Sequence, residues 1–411
     1  MSSLQVVSSR GLSMPVHPSR RELAQQVDID RNLKITPAEI QGHLREEGVL
    51  REGRSVDVDR LSDEFAAHLG GIQPQQLPGT TPVLDNQDVR RYSTYDQVGE
   101  KLEALAQQYS ELCERVSLGK SAQGREIWAL RVGNLADSPE TKPGVVITGC
   151  HHAREWMTVE IPLDLGEKLL SGYATDPEVK RRVDSSEIWI VPLVNPDGYE
   201  YSRTTDNWWR KTRRRIEETP CGPLMWPSFG VDPNRNYHDG KSEHLEIYRS
   251  KGDLPCSTAD DSRATSDNPR KETYRGPAPA SEPEVQTMLK LELERGNIKG
   301  VVDLHSYGEM ILYPHGYTQE PPENVQDYID VATKMNAAMG NKYDVMPATD
   351  LYPCYGTSND IQHVNGIMGL TLEVGKSFQP SESEIIPTCD LVNRAHMVFI
   401  DEIIARHGTN I

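Results

Sequence analysis

The run Gly144-Val145-Val146-Ile147-Thr148-Gly149 constrains this chain more than any other stretch. It is apolar without alternation and closed by glycine at each end, the pattern of a strand buried inside a sheet. Tyr95 to Leu112, Thr158 to Ser171 and Pro283 to Glu294 carry the spacing of helices, whereas residues 127–132, 187–194, 300–305 and 369–373 read as further strands. Such alternation predicts an α/β domain. In open α/β sheets, sites form beyond the carboxyl ends of strands. Three residues able to do chemistry fall at such ends: His152, shortly after the opening run, then His305 and Glu373. His152 and Glu155, three apart, offer a nitrogen and an oxygen donor from one turn. His151, beside them, competes for the same role.

With 411 residues there is room for one large catalytic domain and a small additional one. Residues 1–20 are polar and unpatterned, and are expected to be disordered. Residues 21–72 carry two helical patterns, residues 73–88 are a linker rich in Pro, Gly and Thr, and 89–411 form the catalytic domain. Within the first helical stretch, Asp28, Asp30, Asn32, Thr36 and Glu39 follow the ligand order of an EF-hand calcium loop. Leu33 stands where the sharp turn of such a loop takes Gly, which weakens a calcium site there.

A net charge of −18 argues against a nucleic-acid partner, because that binding is driven by basic surface. The basic run Arg210 to Arg215 follows two tryptophans and does not change this expectation. No apolar run approaches the roughly 20 residues that span a bilayer, and Met1 to Val7 lacks the basic start of a secretory signal. The six cysteines form no C-x-x-C pair, which disfavours a cysteine-ligated metal, while Cys221 and Cys256 flank a loop-like stretch that a disulfide could close.

The motifs His152-Ala153-Arg154-Glu155-Trp156, Val194-Asn195-Pro196-Asp197-Gly198-Tyr199, Trp208-Trp209-Arg210-Lys211-Thr212-Arg213 and Asp232-Pro233-Asn234-Arg235-Asn236 come in a fixed order. Glu272-Thr273-Tyr274-Arg275-Gly276, Leu304-His305-Ser306-Tyr307 and Leu312-Tyr313-Pro314 continue it. Together they resemble the zinc metallocarboxypeptidases of the pancreatic A/B type over about residues 90 to 405. The resemblance implies a mixed, mostly parallel central sheet flanked by helices, and a hydrolase that releases single residues from the C-termini of peptides or proteins. It also implies one catalytic zinc ion and, in location, secretion. A monomer with no nucleic-acid or membrane partner is the expected state.

By the same resemblance, His152, Glu155 and His305 hold zinc and leave a position open for water, whose pKa zinc lowers to about 7. Asp232 orients His152. Glu373 is the general base and Arg210 the donor that polarises the scissile carbonyl. Asn234 and Arg235 anchor the terminal carboxylate, Tyr352 closes over it, and Arg154, Ser306 and Tyr307 line the subsites just upstream. Asn359 falls at the floor of the side-chain pocket, where relatives that prefer apolar termini carry an apolar residue and those that prefer Lys or Arg carry Asp. Asn fits neither, so the preference is expected to be broad, or neutral to apolar.

Three features depart from the family pattern. His151 precedes the ligand histidine and is expected to pack without ligating. Val374-Gly375-Lys376 replaces a usual Arg-Asp pair, and extra residues between Arg215 and Arg275 include the polar stretch Ser257 to Arg270. Two other functions fit the motifs: a catalytically silent module that binds peptide C-termini, and an amidase acting on modified or cell-wall peptides.

Overall fold

The computed structural model describes residues 92–135, 142–251 and 264–408, together with two short strands near the N-terminus. The chain divides into two compact units, 1–89 and 90–411. In the first, β1 (Gln5–Val7) pairs antiparallel with β2 (Ser13–Pro15), so the stretch expected to be disordered holds a two-stranded ribbon. Two paired backbone segments can exchange hydrogen bonds without needing an apolar face, which composition alone does not reveal. The EF-hand-like residues Asp28, Asp30, Asn32, Thr36 and Glu39, and the proposed linker, lie outside the described residues.

The second unit is built on an eight-stranded sheet in the order β11-β10-β12-β9-β5-β6-β4-β3. Its strands are β3 (Cys113–Lys120), β4 (Glu126–Val132), β5 (Gly144–Gly149), β6 (Glu187–Val191), β9 (Ile298–His305), β10 (Met310–Tyr313), β11 (Asp344–Pro347) and β12 (Met368–Glu373). The four central strands β12, β9, β5 and β6 run parallel, and β10, β3 and β4 add antiparallel pairings. The sheet is therefore mixed and mostly parallel. A separate hairpin, β7 (Arg215–Thr219) with β8 (Gly222–Phe229), stands outside it.

All six residues of β5 are buried, as the unbroken apolar run requires. Of the helices, α1 (Tyr95–Gln108) starts on a capping box in which Thr94 and Gln97 satisfy each other's backbone. Two longer ones, α2 (Met157–Gly172) and α10 (Glu382–His407), pack against each other, α2 on β5 and α10 on β9. On the other face α6 (Pro283–Glu294) and α9 (Ser358–Val364) contribute Val285, Met288, Leu291 and Ile361 to one cluster with Val146 and Val301. Gly300 permits the close approach of α10, since a Cβ there would meet Ile403 Cγ1 at 2.6 Å. Gly149 does the same for the start of α2: a Cβ would lie 2.0 Å from the Thr158 carbonyl oxygen. That contact folds the chain sharply past Cys150, whose φ of 56° is unusual for a residue with a side chain and costs on the order of 1 kcal/mol. The Thr158 hydroxyl accepts from the Cys150 N–H at 2.9 Å and holds the bend.

Glu292 on α6 is a buried acid whose carboxyl accepts from Gln362 Nε2 at 3.0 Å. Burial pushes its pKa up to about 8, with Gln362 opposing and the Asp303 charge adding to the rise. Between pH 4.5 and 8 the unfolded chain releases this proton while the folded chain keeps it, so the group costs more stability as pH rises, by at most about 1.4 kcal/mol per pH unit. Glu292→Gln keeps the shape and removes the ionisation. Its Tm, relative to the native protein, is expected to rise by a few degrees on going from pH 5 to pH 8. Thermal unfolding across that range is the check, and a constant Tm difference would refute it.

Candidate active site

The register β12–β9–β5 brings the carboxyl ends of three strands level. Glu373 is the direct partner of His305, and Gly149 of Leu304. The bend after Gly149 then swings His152 and Glu155 back over the end of β9, where they meet His305, all three at most 4% exposed. His152 Nδ1 lies 2.8 Å from Glu155 Oε1, His305 Nδ1 lies 3.1 Å from Glu155 Oε2, and the two Nδ1 atoms are 2.9 Å apart. Donors around a tetrahedral zinc stand roughly 3.3 Å from one another, so this cluster needs little adjustment to surround one ion.

Which nitrogen faces the ion follows from the groups behind the rings. His152 Nε2 is 3.1 Å from Asp232 Oδ1, and His305 Nε2 is 3.0 Å from Asp303 Oδ2. A carboxylate accepts, so each Nε2 is assigned a proton directed outward, and a cation that replaces any proton between the Nδ1 atoms and Glu155 would meet an Nδ1 lone pair from each ring. Asn234 Nδ2 also sits 3.1 Å from His305 Nε2, but the charged acceptor is the stronger partner, which leaves the amide N–H groups of Asn234 available elsewhere. Its Oδ1 accepts from the Ser358 N–H at 2.9 Å, which fixes the amide's orientation. The donor set fits zinc: two imidazoles and a carboxylate.

Electrostatics within the cluster are strong. Burial disfavours the charge of Asp232, yet Arg210 and His152 outweigh it and hold the carboxyl well below the usual range. Glu155 is lowered in the same way by His152 and His305. Burial opposes a charge on His305, but Asp303 and Glu155 raise its pKa well above the ordinary value. Taking up a cation there displaces that proton. Glu373 behaves oppositely: burial pushes its carboxyl up to about 7, with Glu155 adding to the rise and His305 and Arg210 opposing it.

Arg210 is fixed by Asp232, whose Oδ2 accepts from Nε at 3.0 Å and pairs with Nη2 at 2.9 Å, while Nη1 stands 4.0 Å from Glu155 Oε1. Asp232 caps the 3-10 turn Pro233–Arg235, which places Asn234 and Arg235 on the same rim. Arg235 is 2% exposed, donates to the Ala264 carbonyl at 2.7 Å, and its guanidinium lies 5.7 Å from the ring of Tyr352, itself 39% exposed. Asp267 pairs with Arg249 at 2.6 Å and Arg275 at 3.3 Å, which clamps the chain just after Ala264, where it meets Arg235. Arg154 lies 4.4 Å over the Phe378 ring and pairs with Glu272 at 3.1 Å, and Tyr307 packs edge-on against the same ring. Ser306 is buried beside them, with its N–H on Glu155 Oε2 at 3.1 Å. Asn359 is buried at the start of α9 and accepts from the Thr357 hydroxyl at 2.7 Å.

Two residues of this region were not anticipated. Asp303 precedes His305 by two positions on β9, a spacing that puts both side chains on one face of the strand. Tyr237 lies 2.6 Å from His151 Nε2. His151, expected to pack without ligating, is buried here, and its donor atoms lie close to those of Asp303 and His305. Burial of Asp303 is offset by His151 and His305, which keep its carboxyl well below the usual range. Cys221 is disulfide-bonded, and Cys256, its expected partner, lies outside the described residues.

Two imidazoles and a carboxylate converging at strand ends, with a second carboxyl and a fixed guanidinium alongside, define a metal-dependent hydrolase. Residues 98–393 match the zinc carboxypeptidase family, and the chain belongs to it. It is 30% identical to mouse (Mus musculus) carboxypeptidase A4 over 400 residues, covering 94% of this chain and 86% of that one. To rat (Rattus norvegicus) carboxypeptidase B it is 30% identical over 311 residues, covering 73% and 68%. Bovine thrombin-activatable fibrinolysis inhibitor, solved in complex with tick carboxypeptidase inhibitor, superposes with a TM-score of 0.65 at 25% identity, covering 77% of this chain and 99% of that chain. The protein is thus a metallocarboxypeptidase of the A/B type, a zinc hydrolase acting on peptides. Among the described residues no helix is long and apolar enough to cross a membrane.

Proposed function

We propose that this enzyme removes single residues from the C-termini of peptides, with a broad or neutral-to-apolar preference for the departing side chain. The observation that carries this reading is the anchor beside the donor cluster. Arg235 is buried and presents a guanidinium at the rim, and Asn234 adjoins His305 with its amide N–H groups uncommitted. A terminal carboxylate meeting both is held by charge-assisted hydrogen bonds, each contributing about 1.5–3 kcal/mol. An internal segment of a peptide has no such group, so the anchor selects the chain end.

With the terminus held there, the last peptide bond lies over His152, Glu155 and His305. Zinc bound by these three supplies a Lewis acid that polarises the carbonyl and makes water acidic enough to attack near neutral pH. Arg210 directs its guanidinium at the oxygen where negative charge develops. Glu373 takes the proton from the attacking water and returns it to the departing amine. Tyr352, on an exposed stretch beside Arg235, covers the bound terminus. Arg154, Ser306, Tyr307 and Phe378 form the wall that receives the residues upstream.

Product analysis of a mixed set of peptides with free and amidated C-termini tests the reading directly. Release of single C-terminal amino acids from the free peptides alone, abolished by a zinc chelator, is expected. Cleavage of amidated or internal bonds at comparable rates would overturn it.

Side-chain preference is proposed to rest on Asn359. The adjacent Asp360 is buried, its carboxyl accepts from the Gly316 N–H at 2.9 Å and shares the Thr357 hydroxyl with Asn359 at 2.8 Å, and burial pushes its pKa up. Asn359→Asp adds a buried carboxylate at nearly constant volume. It is expected to raise kcat/KM for C-terminal Lys or Arg relative to Leu by about 10- to 100-fold, the gain of one charged hydrogen bond. An unchanged ratio would move the specificity determinant elsewhere.

A further inference from the structure

The group formed by His151, Asp303 and His305 calls for an account of its own. Asp303 is completely buried, as is His305, and the register of β5 with β9 sets Asp303 directly opposite Thr148. Each carboxylate oxygen has two neighbours. Oδ1 accepts from the Thr148 hydroxyl at 2.9 Å and lies 2.8 Å from His151 Nδ1, off the line of a good hydrogen bond. Oδ2 accepts from the Ser358 hydroxyl at 2.9 Å and from His305 Nε2 at 3.0 Å. The hydroxyl of Tyr237 closes the far side of His151 at 2.6 Å. Nothing in the peptide-cleaving steps uses Asp303, Thr148, His151 or Tyr237, yet a fully buried carboxylate is costly unless it is paired and hydrogen-bonded, as Asp303 is.

The geometry mirrors that of Asp232 behind His152, a carboxylate on the outer ring nitrogen of a ligand histidine. We infer that Asp303 is a positioning residue for His305, fixing the tautomer and ring plane that present Nδ1 to the ion, with Thr148, Ser358 and His151 holding Asp303 in turn. This inference rests on the zinc reading of the His152–Glu155–His305 cluster. It assigns the His151–Asp303–His305 group to support of that one ion, not to a second metal. The arithmetic of lone pairs agrees: a second ion on His305 Nε2 requires that nitrogen to lose the proton it gives Asp303. A carboxylate behind each imidazole raises the basicity of both ligands, and loss of such a partner typically weakens metal binding 10- to 100-fold.

The test uses the full chain and zinc competition against a chromophoric chelator. Asp303→Asn preserves shape and one acceptor oxygen. It is expected to raise the zinc dissociation constant about 10- to 100-fold and to shift the visible absorption bands of the cobalt(II)-substituted protein. Ser358→Ala removes one donor to the carboxylate and is expected to give a smaller loss, so a poorly folding Asp303→Asn does not end the test. Asp197→Asn is the control, a buried carboxylate held by Ser121, Gln123 and Arg125 away from the cluster, and zinc affinity is expected to be unchanged. Native affinity in both Asp303→Asn and Ser358→Ala overturns the inference, as does an equal loss in the control. Two tightly held zinc equivalents in the native protein overturn it in favour of a second site, whereas failure to bind any zinc overturns the cluster reading on which it stands.

Discussion

Glu373→Gln is expected to lower kcat about 10²- to 10⁴-fold, with KM and zinc content close to native. The amide matches the carboxylate in size, and the β12–β9 pairing that places it opposite His305 is made by backbone, so the site keeps its shape. What is lost is the ability to take a proton. In the native protein burial brings this carboxyl to about 7, close to where a base both is ionised and accepts a proton well. Below that value the carboxyl is protonated and the base is absent, so kcat/KM rises with pH through the acid limb. A cation in the cluster favours the carboxylate and moves the limb below 7. In Glu373→Gln the limb should vanish from whatever activity remains. Kinetics on an N-blocked dipeptide and metal analysis of the same preparation are the measurements, and activity within a few-fold of native would sink the assignment.

The sequence was most informative where burial and chemistry coincide. The apolar run 144–149 is β5, His305 and Glu373 close their strands and His152 follows shortly after β5, because a buried parallel strand has an unambiguous pattern and a fixed chemical end. Boundaries were less legible. The strand expected to reach Val194 ends at Val191, since Pro192 has no N–H for the ladder, and the helix expected to reach Leu112 ends at Gln108. The short strands β10 and β11, of four residues each, and the hairpin β7–β8 were not anticipated. They are too short or too polar to show a period, and only pairing defines them. Asp303 illustrates a different limit. Its two-residue offset from His305 was visible, but that the same face of β9 would also meet Thr148, His151 and Ser358 depends on contacts between segments up to 155 residues apart.

Arg210→Met is expected to lower kcat about 10²- to 10³-fold, the typical loss of one donor to a developing oxyanion, with zinc affinity native or tighter. The second half of this expectation follows from how the arginine is held. Its Nε and Nη2 both engage Asp232 Oδ2, while Oδ1 of the same carboxylate serves His152. Removing the guanidinium therefore takes a competitor away from the group that orients a ligand, and the cluster loses a nearby positive charge that repels a cation. Asp232→Asn should do the reverse, weakening zinc binding about 10- to 100-fold because the carboxylate behind His152 is gone. Arg210→Lys separates charge from geometry. An ammonium at the end of a flexible stem cannot keep two bonds to Asp232 and still direct a third N–H inward, so it should recover only part of kcat. Measuring kcat, KM and the zinc dissociation constant for all three distinguishes the roles. If Arg210→Met loses zinc in step with activity, the arginine supports the metal site, and the oxyanion-donor role is refuted.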